Sequence, residues 1–196
     1  MKKKNILQTI KKIRNIDSDN KKVEILFVDD NSPDGTAKEV IRLSKQFKNV
    51  RLIQHGKKEG IGAALLFGCK YARGNLIIFL DADLSTDPEF ILKMENLLND
   101  GCDMVVGSRY LKTSSQFGKS YFKIIGSKFF NIFTKFVLGL PIKDITHSFR
   151  VFRKEVYVNI QKYIKEKGHP SFVIEFTYYA MKHKYVIKEF PITFIE

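Results

Sequence analysis

The sequence is poor in cysteine and has no long apolar run. Only two of its 196 residues are cysteine, Cys69 and Cys102. Two thiols without CxxC spacing exclude a disulfide framework and a cysteine-built metal cluster, and they predict buried free thiols in a reducing compartment. No stretch reaches the ~20 mostly apolar residues that a membrane-spanning helix needs. The N-terminus is basic, Met1-Lys2-Lys3-Lys4-Asn5, but no apolar run follows it, so no secretory signal is expected. His55, His147, His169 and His183 lack metal-ligand spacing and are expected on the surface or in loops. There is no internal repeat, low-complexity stretch or linker, and a chain of this length is expected to form one domain over residues 1–196.

What is abundant is positive charge. Lys and Arg number 34 against 21 Asp and Glu, for a net charge of +13. Such a surplus suits an anionic partner, an acidic membrane or a phosphorylated substrate, and it also suits a plain solvated surface. The lysines are scattered and no recognition motif accompanies them, so a nucleic-acid partner is not expected.

Strand and helix signals alternate along the chain. Asn5–Ile16 reads as a helix with Ile6, Ile10 and Ile13 on one stripe. Val23–Val28 is a short apolar run rich in β-branched residues, and Asn31-Ser32-Pro33-Asp34-Gly35 is turn chemistry. Thr36 is placed to cap a helix running to about Phe47, with Glu39 at capping-box spacing. Val50–Gln54, Leu76–Leu80 and Met104–Val106 read as strands, and Tyr185–Phe194 as a final strand interrupted by Pro191. Gly60–Ala72, the segment opened by Asp87-Pro88, Tyr121–Leu138, Glu155–Tyr163 and Phe176–His183 read as helices. Phe149–Phe152 fits either a strand or a turn. This alternation predicts an α/β fold with a mostly parallel sheet flanked by helices. Ligands of such sheets bind beyond the carboxyl ends of the strands, where Asp29-Asp30, Asp81-Ala82-Asp83 and Arg109 all fall.

Asp81 and Asp83 flank one residue after a buried strand. Extended backbone would point both carboxylates the same way, toward one hard cation such as Mg²⁺ or Mn²⁺. An exposed turn with Asp83 or Asp87 as a helix cap fits the same residues. Asp29 and Asp30 repel one another, so one should face the rim and the other the following turn. A carboxylate there can accept from a base or ribose, and turn chemistry alone also accounts for it. Gly60-Ile61-Gly62 allows a close approach to a ligand at a helix start, or close packing of helix on sheet. Arg109, Lys123 and Arg150 are candidate phosphate clamps.

The Tyr121–Leu138 segment has two faces. Phe122, Ile125, Phe129, Ile132, Phe133 and Phe136 share one, and Lys123, Ser127, Lys128, Asn131, Thr134 and Lys135 share the other. The apolar arc is wider than a usual core stripe, which suits a helix in a membrane interface as well as a core helix.

Six segments occur in a recognisable order. They are Val28–Thr36 (VDDNSPDGT), Lys58–Ala64 (KEGIGAA), Asp81–Ser85 (DADLS), Gly107–Tyr110 (GSRY), Asp144–Arg150 (DITHSFR) and Glu189–Phe194 (EFPITF). With them the chain resembles the dolichol-phosphate mannosyltransferases and polyprenyl-phosphate relatives of glycosyltransferase family 2, from about Val23 onward. The resemblance implies a GT-A fold. It implies that Asp29 and Asp30 lie at the donor nucleoside and that Lys58 and Gly60 of the second segment also bind the donor nucleotide. Asp81 and Asp83, with Ser85, would lie at a metal and the donor diphosphate. Arg109 would meet the acceptor phosphate, and Lys123 and Ser127 match the spacing of the family's Arg-x-x-x-Ser pair. Arg150 matches the last position of the family's GSFR or SGFR forms, and His147 stands where the family usually has Gly.

The family begins with a strand ending in Pro-Thr-Tyr-Asn-Glu before its first helix, whereas Met1-Lys2-Lys3-Lys4-Asn5 stands here. The chain also ends at Glu196, before a basic tail that many relatives carry. A fragment or truncated reading frame is therefore expected, with a gap between the Val23–Val28 and Leu76–Leu80 strands. The function implied is inverting transfer of a hexose, mannose or glucose, from a GDP- or UDP-sugar to a polyprenyl or dolichyl phosphate. It would take place at the cytoplasmic face of a membrane with Mg²⁺ or Mn²⁺. Transfer to a saccharide or protein hydroxyl, or a truncated domain with little activity, remain as alternatives.

Overall fold

The computed structural model describes residues 5–16, 23–56, 59–118, 121–165, 168–169 and 171–195, and the side chains of 121–123 are outside that description. The elements follow in the order α1 (Ile6–Ile16), β1 (Ile25–Asp29), α2 (Thr36–Gln46), β2 (Val50–Gln54), α3 (Ile61–Tyr71), β3 (Leu76–Phe79) and α4 (Phe90–Asn99). Then come β4 (Met104–Ser108), β5 (Ser115–Phe117), α5 (Tyr121–Leu138), β6 (Arg150–Arg153), α6 (Lys154–Ile160), a 3₁₀ turn, α7 (Phe172–Lys182), β7 (Ile187–Pro191) and β8 (Thr193–Ile195).

The main sheet has the order β3-β6-β4-β7. β4 lies parallel to β7, and β6 runs antiparallel between β3 and β4. All five residues of β4 are buried, as a central strand requires. Its side chains alternate between two cores. Met104 and Val106 join Phe79, Phe152, Phe172 and Phe176 on one face, while Val105 joins Ile91, Leu98, Phe149 and Val151 on the other.

β1 and β2 form a separate parallel pair, in register from Ile25 opposite Val50 to Asp29 opposite Gln54. Among the described residues, the edge of β1 away from β2 and the edge of β3 away from β6 have no strand partner. A cleft of about 280 Å³ is lined from both sides, by Ile25, Phe27 and Asp29 of β1 and by Ile78, Leu80 and Asp81 of the β3 region. Ile13 and Ile16 of α1 contribute to its wall. α1 buries Ile6, Ile10 and Ile13 as its spacing predicts, and its start is tied beyond β3 by Asn5 Nδ2 donating to the Asp83 carbonyl at 3.2 Å.

Several local expectations change. α2 is capped by Gly35 (φ 78°) and not by Thr36; the Asp34 carboxylate accepts the Thr36 N–H at 3.0 Å in place of a Thr36 cap. The final strand is two strands. Pro191 ends β7, Ile192 donates its N–H to the Ser108 carbonyl, and β8 then pairs with β5. β5 is three residues long and too short to show an alternation in sequence. α7 begins at Phe172, four residues before the expected start, after a turn in which His169 Nδ1 accepts the Ser171 N–H. Cys69 and Cys102 are buried and free.

Candidate active site

Three strand ends meet on one rim, and each carries its polar group for a local reason. At the end of β1 the adjacent carboxylates diverge, as their mutual repulsion requires. Asp29 is buried, and its oxygens accept the Ser32 N–H at 3.2 and 3.4 Å, closing a turn in which Asn31 takes φ 62°. Asp30 turns the other way and pairs with His55 Nδ1 at 3.1 Å. His55 lies in the loop after β2, as expected, and there it is packed: it stacks on Phe67 at 4.5 Å and its side chain is 11% exposed. Thr36, beside Asp29 in the cleft wall, is buried, and its hydroxyl has no partner among the described residues.

Gly60 caps α3 with φ +94°, and a Cβ there would stand 2.1 Å from the Gly168 carbonyl oxygen. Glycine is thus required twice, by a left-handed backbone and by packing. The group that closes on it is the chain's own Gly168 backbone. Lys58 lies outside the described residues.

After β3 the Asp81–Asp83 triplet is not extended. Ala82 and Asp83 form a turn, Leu84 has φ 63°, and the exposed Asp83 accepts the Ser85 N–H on Oδ1 at 2.9 Å. This corrects the premise that both carboxylates point one way from a strand end. They still share a field. Burial pushes the Asp81 carboxyl above its ordinary range, the Ser148 hydrogen bond opposes that, and the charge of Asp83 adds to it. Ser148 Oγ donates to Asp81 Oδ2 at 2.6 Å. Ser85 is buried, its carbonyl accepting the Ile195 N–H. No cluster of three or more His, Cys, Asp or Glu stands ready for a metal among the described residues. A cation here would have two carboxylates from the chain, with other oxygens completing its shell. That suits Mg²⁺ or Mn²⁺, which commonly sit on one or two carboxylates plus phosphate oxygens. The desolvated Asp81 beside a second carboxylate is an anionic site that such an ion would relieve.

After β4, Arg109 is held by Asp144. Nε and Nη2 donate to the two Asp144 oxygens at 2.8 and 2.9 Å, the Arg109 backbone N–H adds a third bond at 2.9 Å, and Nη2 also reaches Thr146 Oγ1 at 2.9 Å. Burial alone would raise the Asp144 carboxyl, but the hydrogen bonds and charge of Arg109 outweigh it and hold it below the usual range. Nη1 of Arg109 makes no hydrogen bond among the described residues and is the corner left for a further anion.

Arg150 is not a phosphate clamp. It is fully buried and donates to the carbonyls of His147, Ser148 and Val173 and to Thr177 Oγ1. Burial lowers its pKa to about 9, with Asp144 opposing. It pins the Asp144–Arg150 loop to α7 and cannot reach an acceptor without breaking those bonds. His147, expected in a loop near the site, is there but buried, with Nδ1 accepting the Phe149 N–H at 3.0 Å.

α5 is amphipathic in the inverted sense. Ser127 and Asn131 of its polar side face the protein: Tyr110 donates to Ser127 Oγ at 2.7 Å, and Asn131 is only 1% exposed. Its aromatic side faces outward, with Phe129 at 71%, Phe133 at 57% and Phe136 at 87% exposed, alongside Ile132 and Val137. That face is not packed against any of the described residues. The Lys123 side chain lies outside the described residues. No described helix is long and apolar enough to cross a membrane.

Sequence reasoning missed the groups that orient the site, namely Asp144, Thr146, Ser148, Asn131 and His55. Asp144, Thr146 and Ser148 all lie in one recognised segment, but nothing in their spacing says which side chain each one meets.

A family model described as "Glycosyl transferase family 2" matches residues 1–160. The polyprenol monophosphomannose synthase of Mycolicibacterium smegmatis is 34% identical over 179 residues, 89% of this chain and 67% of that protein. The dolichol-phosphate mannosyltransferase of Pyrococcus furiosus is 33% identical over 142 residues, 70% of this chain and 40% of that protein. Among solved structures, a mannosyltransferase from Pyrobaculum calidifontis in complex with GDP-Man and Mn²⁺ superposes with a TM-score of 0.63 at 18% identity, covering 100% of this chain and 53% of that one. Glucosyl-3-phosphoglycerate synthase from Mycobacterium tuberculosis, with Mn²⁺, uridine-diphosphate and phosphoglyceric acid, gives 0.64 at 14% identity, covering 93% of this chain and 64% of that one. At these identities the two structures establish the fold, which is of the GT-A type.

Proposed function

The chain belongs to glycosyltransferase family 2, and from that premise we propose that it transfers a hexose from a nucleotide-diphosphate sugar to a polyprenyl or dolichyl phosphate, with inversion at the sugar carbon. The observation that carries this reading is the Asp144–Ser148 stretch. One end holds Arg109 and the other holds Asp81, so a single loop sets the acceptor cation against the donor carboxylates. The polar side of α5 packs beside that loop, and its aromatic side is open.

The residues then divide the work. Asp29 and Asp30 stand at the rim where a nucleoside would lie. Asp81 and Asp83, with Ser85 nearby, would hold Mg²⁺ or Mn²⁺, which supplies charge neutralisation on the donor diphosphate. Arg109 meets the acceptor phosphate through Nη1, with Ser127 and Lys123 on the adjoining helix. A phosphate monoester is already anionic at neutral pH, so positioning and charge stabilisation carry more of the barrier than a strong general base. Both named relatives use mannose and a lipid-type acceptor by their descriptions, which favours GDP-mannose as donor over a UDP-hexose. The exposed Phe129, Phe133 and Phe136 with the surplus of Lys and Arg suit peripheral contact with an anionic membrane. A nucleotide-sugar donor and two cysteines that form no disulfide support a cytoplasmic side for that contact.

A competition between polyprenyl phosphate and the matching polyprenol, with labelled GDP-mannose, tests the acceptor class. Label should enter the phosphate only. Equal transfer to the alcohol would move the reading to hydroxyl acceptors.

A further inference from the structure

Asn131 occupies an unusual place on α5. The helix turns its aromatic side outward, yet this amide is 1% exposed and makes three hydrogen bonds, two of them to the Asp144–Arg150 loop. Its Oδ1 accepts the Ile145 N–H at 2.9 Å, and Nδ2 donates to the Ser127 carbonyl at 2.8 Å and to Thr146 Oγ1 at 3.2 Å. A backbone N–H can only donate, so the bond from Ile145 fixes which end of the amide is oxygen.

That orientation determines the direction of the next hydroxyl. Thr146 Oγ1 accepts from Asn131 Nδ2 and from Arg109 Nη2, and its one proton goes to Asp144 Oδ1 at 3.2 Å. The two acceptances and one donation saturate the hydroxyl. The same Asp144 oxygen also receives Arg109 Nη2 at 2.9 Å. Asn131, Thr146, Asp144 and Arg109 therefore form one directed chain of bonds from α5 to the guanidinium.

We propose that Asn131 is a positioning residue for acceptor binding: its amide polarises Thr146 toward Asp144, and so holds Arg109 with Nη1 facing the acceptor phosphate. This rests on the reading of Arg109 as the acceptor cation. In Asn131→Asp the carboxylate still accepts from Ile145 but cannot donate to Thr146. The Thr146 proton is then drawn away from Asp144, and the Arg109 clamp loses its fixed register. Thr146→Val removes the same relay without adding a buried charge, and Thr146→Ser restores the hydroxyl.

The test is steady-state transfer from GDP-mannose to farnesyl phosphate in detergent, with donor affinity measured separately by calorimetry. Asn131→Asp and Thr146→Val should each raise the acceptor KM about tenfold, the worth of one hydrogen bond to a charged group. The donor Kd should stay within about twofold in both, and Thr146→Ser should match the parent. Arg109→Gln is run beside them. If it raises the acceptor KM while Asn131→Asp and Thr146→Val do not, the positioning role is overturned and the acceptor reading stands. If Arg109→Gln leaves the acceptor KM unchanged, both fall. Should Asn131→Asp fail to fold, Thr146→Val decides alone. Loss of donor affinity in parallel with acceptor KM would reduce Asn131 to a purely structural residue.

Discussion

Arg109 grips Asp144 through two parallel hydrogen bonds, Nε to Oδ2 at 2.8 Å and Nη2 to Oδ1 at 2.9 Å, with side-chain exposures of 8% and 0%. A buried pair of this kind adds little over an apolar pair of the same shape, but losing one partner strands the other charge. Asp144→Asn should therefore cost about 3–5 kcal/mol of stability near neutral pH. The Asp144 carboxyl is held below its ordinary value when folded. Its contribution is thus complete above the unfolded pKa of about 3.9 and is lost as pH falls through the lower folded value. Urea midpoints of the two proteins should differ most at pH 7 and converge below about pH 4. A constant difference across that range would contradict the assignment.

Ser148 orients Asp81 from outside any metal shell, through its 2.6 Å hydrogen bond. Partners of this type typically contribute 10–100-fold to metal affinity. Ser148→Ala should weaken Mn²⁺-dependent donor binding by roughly that factor, and EDTA should weaken it in the parent. Calorimetry of GDP-mannose with Mn²⁺, and with EDTA, checks both. Equal affinity under the two conditions would remove the metal from the account.

The aromatic face of α5 makes a prediction that separates membrane from core. Phe129 and Phe133 are 71% and 57% exposed, so Phe129→Ser with Phe133→Ser should leave the melting temperature nearly unchanged. Each inserted Phe is worth about 1.5–3 kcal/mol, so partition onto anionic vesicles should fall by about a hundredfold or more. Added salt should weaken what remains. Unfolding without a specific loss of vesicle affinity would return the helix to the core.

Much of this was readable in the sequence because short-range rules decided it. The Ile6, Ile10 and Ile13 stripe, the buried runs of β1 and β3, and the carboxylates at their ends all follow from periodicity and turn chemistry. What escaped depended on contacts distant in sequence. Arg150 reads as a candidate phosphate clamp until α7 is seen to bring Val173 and Thr177 against it. β6 reads as strand or turn until β3 and β4 flank it. The apolar arc of α5 was visible, but its outward direction was not, because periodicity says which residues share a face and not which way that face points.

Among the described residues the outer edges of β1 and β3 have no strand partner, which makes a prediction about the sheet. An extended apolar segment fused ahead of Met1, of the kind the family resemblance implies, should enter the cleft and give partners to those edges. Each buried group satisfied is worth about 1–3 kcal/mol, and at this chain length each kcal/mol raises the melting temperature by about 2–4 °C. Amide exchange should slow in β1 and β3 together. A fused segment that changes neither exchange nor melting would mean that the cleft is not a strand site.

The most direct measurement is the yield of lipid-linked sugar. The protein is incubated with labelled GDP-mannose, Mn²⁺ and polyprenyl phosphate, and the organic-phase product is compared with that of Asp81→Asn. The account predicts a mannosyl-phosphate lipid that is made by the parent, requires the metal, and falls by orders of magnitude in the variant. Organic-phase label that persists undiminished in Asp81→Asn, or sugar delivered only to water or to a soluble hydroxyl, would contradict it.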